Sequence, residues 1–289
     1  MIDLIQALRP YQWTKNLLVF AALVFAQKLA DTEKILLAVA AFAVFCAAAS
    51  AVYLLNDIVD RERDRQHPTK RERPIAAGRV SVGAAVVMAL VLAAGALAGA
   101  WAINPSLAAT IGGYLLLQVA YNLVLKSIAI VDALCVALGF LLRAIAGAVA
   151  IGEPMSSWLL ICTTFASVFI SFAKRRHEFS TLPGEATRHR ESLAGYSVSS
   201  LDQFLVISAA ATILSYALYT TDDETVAKFG DVRLLATLPM VIYGVMHYLD
   251  LVQRDEAVGD PSRALLRDKP LLITVGLYGL LVVLLLYLG

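Results

Sequence analysis

The chain has 289 residues, 59% of them hydrophobic and only 16% charged, with a mean hydropathy of +0.72. A soluble domain of this size is about 45–50% apolar and about 25% charged, so a disordered chain and a soluble enzyme with a polar surface are both excluded. With 24 Lys and Arg against 23 Asp and Glu, the net charge is +1, which excludes nucleic-acid binding driven by overall charge.

In chain order, the first segment sets Ile2, Leu4, Ile5 and Leu8 among Asp3, Gln6 and Arg9. This pattern predicts a short amphipathic helix at a membrane surface and does not read as a cleavable signal. A helix that crosses the hydrocarbon core needs about 20 mostly apolar residues. Nine segments qualify: roughly 14–30, 35–56, 82–103, 106–125, 128–151, 157–174, 201–220, 232–249 and 270–288. The first is the weakest, because Gln27 and Lys28 interrupt its end. The runs are rich in Ala and Leu and far longer than barrel strands, so helices are expected. Small-residue stretches such as Ala93–Ala96 and Ala144–Gly147 suit close helix packing. The expected architecture is an all-α polytopic membrane protein with nine transmembrane helices, forming one domain over residues 1–289. Cys46, Cys135 and Cys162 each lie in an apolar stretch with no CxxC or Cys/His cluster, and read as small buried hydrophobes.

The cations fix an orientation. Arg9 and Lys15 precede or open the first span. The loop after span two holds Arg61, Arg63, Arg65, Lys70, Arg71, Arg73 and Arg79, and Lys126 follows span four. Lys174, Arg175, Arg176, Arg188 and Arg190 follow span six, and Arg254, Arg263, Arg267 and Lys269 follow span eight. All of these fall on one side. Lys28, Lys34, Lys228 and Arg233 fall on the other, and Arg143 lies within span five. The positive-inside rule then places the N-terminus and the even loops in the cytoplasm, with the C-terminus outside the plasma membrane. The inward loops 56–80 and 174–200 are long and polar, so the chemistry is expected at the cytoplasmic face.

The most informative stretch is Asn56-Asp57-x-x-Asp60-x-x-x-Asp64, into which span two runs without a break. On one continuous helix the three aspartates share a face. Carboxylates crowded near lipid repel one another, and a hard cation such as Mg²⁺, shared with substrate phosphates, relieves that repulsion. The alternative is a solvated helix end with local Arg–Asp pairs, since Arg61, Glu62, Arg63 and Arg65 interleave. The segment from His67 to Gly78 follows at once, carrying Lys70, Arg71 and Arg73 between Pro68 and Pro74. Carboxylates followed by cations suit a magnesium-bound polyphosphate; anchoring to anionic lipid is the other reading of the cations.

These residues resemble the first aspartate-rich motif of the UbiA-type intramembrane prenyltransferases, and the resemblance extends through Asp64-Arg65-x-His67-Pro68 to Arg73-Pro74-Ile75-Ala76-x-Gly78. It implies a UbiA-like helical bundle with Mg²⁺ and a diphosphate held by Asp57, Asp60 and Asp64. Prenyl-transferring members carry a second D-x-x-x-D motif after span six. Here the sequence reads Ser171-Phe172-Ala173-Lys174-Arg175-Arg176-His177-Glu178. That departure is similar to the decaprenyl-phosphate phosphoribosyltransferase branch. So are Arg9-Pro10-x-Gln12-Trp13-x-Lys15-Asn16, Tyr121-x-x-x-Leu125-Lys126, Arg143–Gly147, Lys174-Arg175-x-x-Glu178 and the stretch 259–270.

The branch implies transfer of the 5-phosphoribosyl group of phosphoribosyl pyrophosphate (PRPP) to a polyprenyl phosphate, with release of pyrophosphate, on the way to a cell-wall arabinose donor. Trimers occur in this branch, so the resemblance allows a homotrimer. A phosphate acceptor is already anionic and needs no general base. The remaining anions need cations and hydrogen-bond donors, and the candidates are Lys15, Asn16, Asn56, Lys70, Arg73, Tyr121, Lys126, Arg143, Lys174 and Arg175, with Glu178 beside them. Arg143 within a span is expected to face the bundle interior; a structural pair with Asp132 or Glu153 is the other reading. Tyr243, His247 and Tyr248 read as core or interfacial residues. Two competing functions remain: prenyl transfer to an aromatic acceptor, which predicts the second acidic motif, and a transporter, which predicts charges near the midplane.

Overall fold

A computed structural model describes residues 2–181, 191–254 and 267–287. Every regular element among them is a helix, and no strand occurs among the described residues. Arg188, Arg190 and Arg263, counted above for orientation, lie outside the described residues, as does most of the 259–270 stretch.

The chain divides into two compact units, residues 1–135 with 142–154 and residues 136–141 with 155–289. In the first, α1 (Ile2–Leu8) leads into a 3₁₀ stretch, Pro10–Phe20, and the short helix α2 (Ala21–Phe25). Then come α3 (Thr32–Val59), α4 (Arg61–Gln66), α5 (Val82–Ile103) and α6 (Pro105–Leu123), followed by α7 (Val131–Ile151), which both units share. Polar side chains at the boundaries start these helices: Asp31, Ser81 and Asn104 accept from the backbone N–H groups of Lys34, Ala84 and Leu107.

Helix α3 is the spine of this unit, with α5, α6, α1 and the 3₁₀ stretch packed on it. Ala41, Phe45, Ala48 and Val52 recur at helical spacing along one face of α3 and meet Ala96, Ala100, Leu107, Ile111 and Tyr114. The small residues let backbones approach closely. At Gly147 an added Cβ would fall on the Val19 carbonyl, so only glycine fits where α7 passes the 3₁₀ stretch. A second cluster of Leu54, Ile75, Val80 and Ala85 takes Leu4, Ala7 and Leu8 of α1, fixing the N-terminal helix and the 74–80 loop against the end of α3.

The second unit is built on α8 (Ser157–Thr181) and α9 (Val198–Thr221), which pack along their length. Hydrogen bonds clamp the pair at both ends: Trp158 Nε1 donates to Asp222 Oδ1 at 2.9 Å, and Arg176 Nε donates to Asp202 Oδ1 at 2.8 Å. The short helix α10 (Asp223–Phe229), α11 (Leu238–Gln253) and α12 (Lys269–Tyr287) complete the unit. His247 Nε2 lies 2.9 Å from Asp268 Oδ1, tying α11 to the start of α12.

Seven helices among the described residues are long and apolar enough to cross a membrane. The sequence suggested nine; the two candidates not among these seven are the first, 14–30, and the fourth, 106–125. The first candidate is not one long helix: the 3₁₀ stretch gives way to α2, which stops before Gln27, a residue in the left-handed region with φ +58°. The fourth, α6, has the length but carries Ser106, Thr110, Gln118, Tyr121 and Asn122, which lower its apolarity. On α5, by contrast, Val87, Leu90, Val91 and Trp101 are all exposed, as a lipid-facing surface requires. The three cysteines are free and buried.

Candidate active site

The end of α3 and the loop after it bring the site together. Helix α3 ends at Val59, and Asp60 leaves helical geometry at φ −90° and ψ 5° before α4 resumes at Arg61. The expectation of one unbroken helix with three aspartates on one face is therefore corrected. The break at Asp60 separates the three side chains into a converging pair and an outlier. Asp57 and Asp64 are both buried, at 2% and 3% exposure, and meet on a single guanidinium nitrogen. Arg73 Nη1 donates to Asp57 Oδ1 at 3.1 Å and to Asp64 Oδ2 at 2.6 Å. Asp60 instead pairs with Lys126, whose Nζ lies 2.6 Å from Oδ1.

A third cation, Arg9, donates to Asp57 Oδ1 and lies over the Tyr53 ring at 5.3 Å. Three carboxylates thus meet three fixed cations, so the cluster is neutral as it stands. Arg73 reaches the pair because the 70–80 loop folds back on itself: Ala77 N–H donates to the Arg73 carbonyl, Val80 N–H to the Pro74 carbonyl, and Gly78 takes the left-handed turn at φ +76°. The loop is anchored further where Arg65 Nε donates to the Ala76 carbonyl at 3.1 Å. Lys70 sits half-buried in a 3₁₀ turn, where its backbone N–H donates to His67 Nδ1. Asn56 is half-buried one residue before Asp57.

Lys126 lies just past the end of α6, in the 3₁₀ turn Leu125–Ser127, and Tyr121 is half-buried on the last turns of α6. Deeper in the first unit, Arg143 is buried in a polar and aromatic cage. Its Nε donates to Asn16 Oδ1 at 2.8 Å, its Nη2 donates to Tyr114 Oη at 3.2 Å, and its guanidinium lies 5.1 Å from the centres of both the Phe45 and Tyr114 rings. Asn16, itself 1% exposed, also donates to Cys46 Sγ. Glu153, one partner considered for Arg143, lies instead near Lys28 and Lys34. Lys15 is half-buried.

In the second unit, Lys174, Arg175 and Glu178 sit on the last turns of α8. Arg175 is 1% exposed and donates to Glu178 Oε2 at 2.9 Å, while Lys174 Nζ lies 3.9 Å from Glu178 Oε1. Arg176 is committed to Asp202 and Ser180. Tyr248 is buried edge-on to Phe169, and Tyr243 stacks on His247.

Arg9 is the residue that reading the sequence for a site passed over. Its signal was present in the Arg-Pro-x-Gln-Trp run, but nothing in that run names Asp57, 48 residues away, as its partner.

Among the described residues no three His, Cys, Asp or Glu side chains form a ready metal cage. Asp57 and Asp64 nevertheless offer hard carboxylate oxygens that already converge on one positive nitrogen. That donor set fits a divalent cation that takes one or two carboxylates and completes its shell with substrate phosphate and water.

Residues 17–264 match the UbiA prenyltransferase family. The chain is 39% identical over 271 residues to decaprenyl-phosphate phosphoribosyltransferase of Mycobacterium tuberculosis, covering 92% of this chain and 88% of that protein. It is 37% identical to the protein of the same description from Corynebacterium glutamicum, covering 93% and 82%. Its fold is similar to that of a UbiA homolog from Archaeoglobus fulgidus solved bound to DMAPP and Mg²⁺, with TM-score 0.73, 19% identity and coverage of 98% and 96%.

Proposed function

Since the chain belongs to the UbiA prenyltransferase family, we propose that it is a membrane transferase that moves the 5-phosphoribosyl group of PRPP to a polyprenyl phosphate and releases pyrophosphate. The observation that carries this reading is the basic end of α8. Where a prenyl-transferring site would need a second pair of carboxylates, the chain has Lys174, Arg175 and Arg176. The identity to decaprenyl-phosphate phosphoribosyltransferases over most of both chains supports the same substrates. Likeness to the prenyl-diphosphate-bound archaeal structure is a likeness of fold. The family match runs through both units, which supports one transferase domain.

In this reading Asp57 and Asp64, with Asp60 as the third carboxylate of the motif, would hold Mg²⁺ together with the diphosphate of PRPP. Bound there, the metal supplies charge neutralisation of the leaving pyrophosphate. The protein's own side chains do the rest. Arg73, Lys126 and Lys70 supply charge-assisted hydrogen bonds to phosphate oxygens as negative charge builds on the leaving group. Asn56 and Tyr121 offer neutral donors beside them, and Lys15 a further cation. Arg143, held by Asn16 and Tyr114, places a fixed positive charge in the interior of the first unit. In the second unit, Lys174 and Arg175, held beside Glu178, are the cations that the same resemblance assigns to a phosphate group, that of the lipid or the 5-phosphate. The acceptor phosphate attacks the anomeric carbon as an anion, so no side chain must remove a proton.

The cation bias supports an inner-membrane protein with its N-terminus and site at the cytoplasmic face and its C-terminus outside. Membership of this branch makes a homotrimer the assembly to test, by the mass of the detergent-solubilised protein.

The test is label transfer. With Mg²⁺, purified protein should move label from PRPP onto decaprenyl phosphate and not from a prenyl diphosphate onto 4-hydroxybenzoate. The reverse pattern would overturn the reading.

A further inference from the structure

Arg9 stands apart from the loop and helix-end cations because an entire structural element delivers it. The apolar side of α1 packs Leu4, Ala7 and Leu8 against Leu54, Ile75, Val80 and Ala85. Arg79 Nε donates to Asp3 Oδ1 at 2.8 Å, tying the start of α1 to the basic loop. At its far end, Ser50 Oγ donates to the Leu8 carbonyl and accepts from Trp13 Nε1, both at 3.0 Å. Between these ties Arg9 adopts the left-handed region, φ +53° and ψ +58°, which a residue other than glycine takes only when its surroundings impose it. The result aims the guanidinium across Tyr53 at Asp57.

The consequence lies in the accepting atom. Asp57 Oδ1 already accepts from Arg73, which also holds Asp64. Arg9 adds a second cationic donor to that same oxygen. An oxygen that accepts two such donors has no lone pair left for a metal, and the guanidinium charges beside it also repel a divalent cation that approaches the other oxygen, so Arg9 and a divalent cation compete for Asp57.

We propose that Arg9 is a positioning residue that withholds Asp57 from a bare divalent cation and yields it to a cation arriving with a diphosphate. In the second case the displaced guanidinium regains an anionic partner on the diphosphate, within reach of the strap that carries it. The two ligands are then coupled, each raising the affinity of the other by the same factor. The inference rests on Asp57 being a metal ligand, as set out above.

The test uses the full chain in detergent, with Mn²⁺ as the metal, inorganic pyrophosphate as the anion, and free Mn²⁺ followed by electron paramagnetic resonance. Arg9→Gln should bind Mn²⁺ alone about tenfold more tightly than wild type, the size of one charge-assisted hydrogen bond. The tightening that pyrophosphate produces in wild type should fall by a similar factor, and Arg9→Lys should restore part of both effects. A strap that serves only to hold the fold would lower thermal stability without altering either affinity.

If wild type binds Mn²⁺ and Arg9→Gln matches it with and without pyrophosphate, the role given to Arg9 is overturned while the metal reading stands. If wild type binds no Mn²⁺ even with pyrophosphate, the metal reading falls and takes this inference with it. Should Arg9→Gln not fold, hydrogen exchange of residues 2–12 in wild type decides. Mn²⁺ alone should speed exchange there and added pyrophosphate should slow it again; unchanged exchange overturns the proposal.

Discussion

Replacing Asp57 by asparagine removes one negative charge and keeps the shape of the side chain. That side chain is 2% exposed and faces two guanidinium groups, Arg9 and Arg73, which are 13% and 25% exposed. The asparagine Oδ1 still accepts from both, so the contacts survive as hydrogen bonds and lose their ionic part. Breaking a fully buried ion pair costs about 3–5 kcal/mol. Here water reaches both cations in part, and Arg73 keeps Asp64 at 2.6 Å, so a loss of about 2 kcal/mol is expected. The protein should therefore fold and melt only a few degrees lower.

Turnover should suffer more, because the variant leaves one converging carboxylate where there were two. Losing a preorganised charge at the point where negative charge develops costs about 3–4 kcal/mol, or about 10²–10³ in rate. The assay is the initial rate of label transfer from PRPP to decaprenyl phosphate in detergent at saturating Mg²⁺, with thermal denaturation of the same preparation. Asp60→Asn is the internal comparison. It lies outside the Arg73 bridge and is partly exposed at 22%, so about a tenfold loss is expected. Wild-type turnover in Asp57→Asn, with normal melting, would refute the assignment of the acidic helix end to catalysis.

Three further outcomes follow from the same geometry. Lys126→Ala frees Asp60 and removes a phosphate donor; kcat/KM for PRPP should fall about tenfold or more, and an unchanged value would confine Lys126 to a structural pair. Lys174→Glu, at a partly exposed position, should leave thermal stability within about 0.5 kcal/mol and raise KM for one anionic substrate several-fold; unchanged KM for both would remove Lys174 from the site. Gly147→Ala should lower stability by about 1–3 kcal/mol or prevent folding, because the new methyl meets the Val19 carbonyl; a melting temperature equal to wild type would show that the two backbones can separate.

How much of the site was legible differs residue by residue. Asp57 and Asp64 stood out because their spacing matches helical periodicity, and a small break in the helix still leaves them converging. Asp60 shared that spacing and parted from them, since periodicity carries no mark of where a backbone leaves helical geometry. Arg73 lay in the expected basic loop, but its bridging of two carboxylates depends on how the 74–80 turn folds back. Arg9 was visible as one cation among several and as the head of the Arg-Pro-x-Gln-Trp run, and neither names its partner.

By itself the sequence determined that the chain is helical and built for lipid, since long apolar runs with few charges admit no other solution in a bilayer. It also determined that acidic and basic groups gather at one end of the second span, since they are adjacent in the chain. Only the tertiary structure decided which charge meets which. Arg9 and Asp57 are separated by 48 residues, Lys126 and Asp60 by 66, and Arg143 and Asn16 by 127. Pairings at such separations are set by how helices pack, through the small-residue faces of α3 and the glycine at 147, and no local pattern in the chain encodes them.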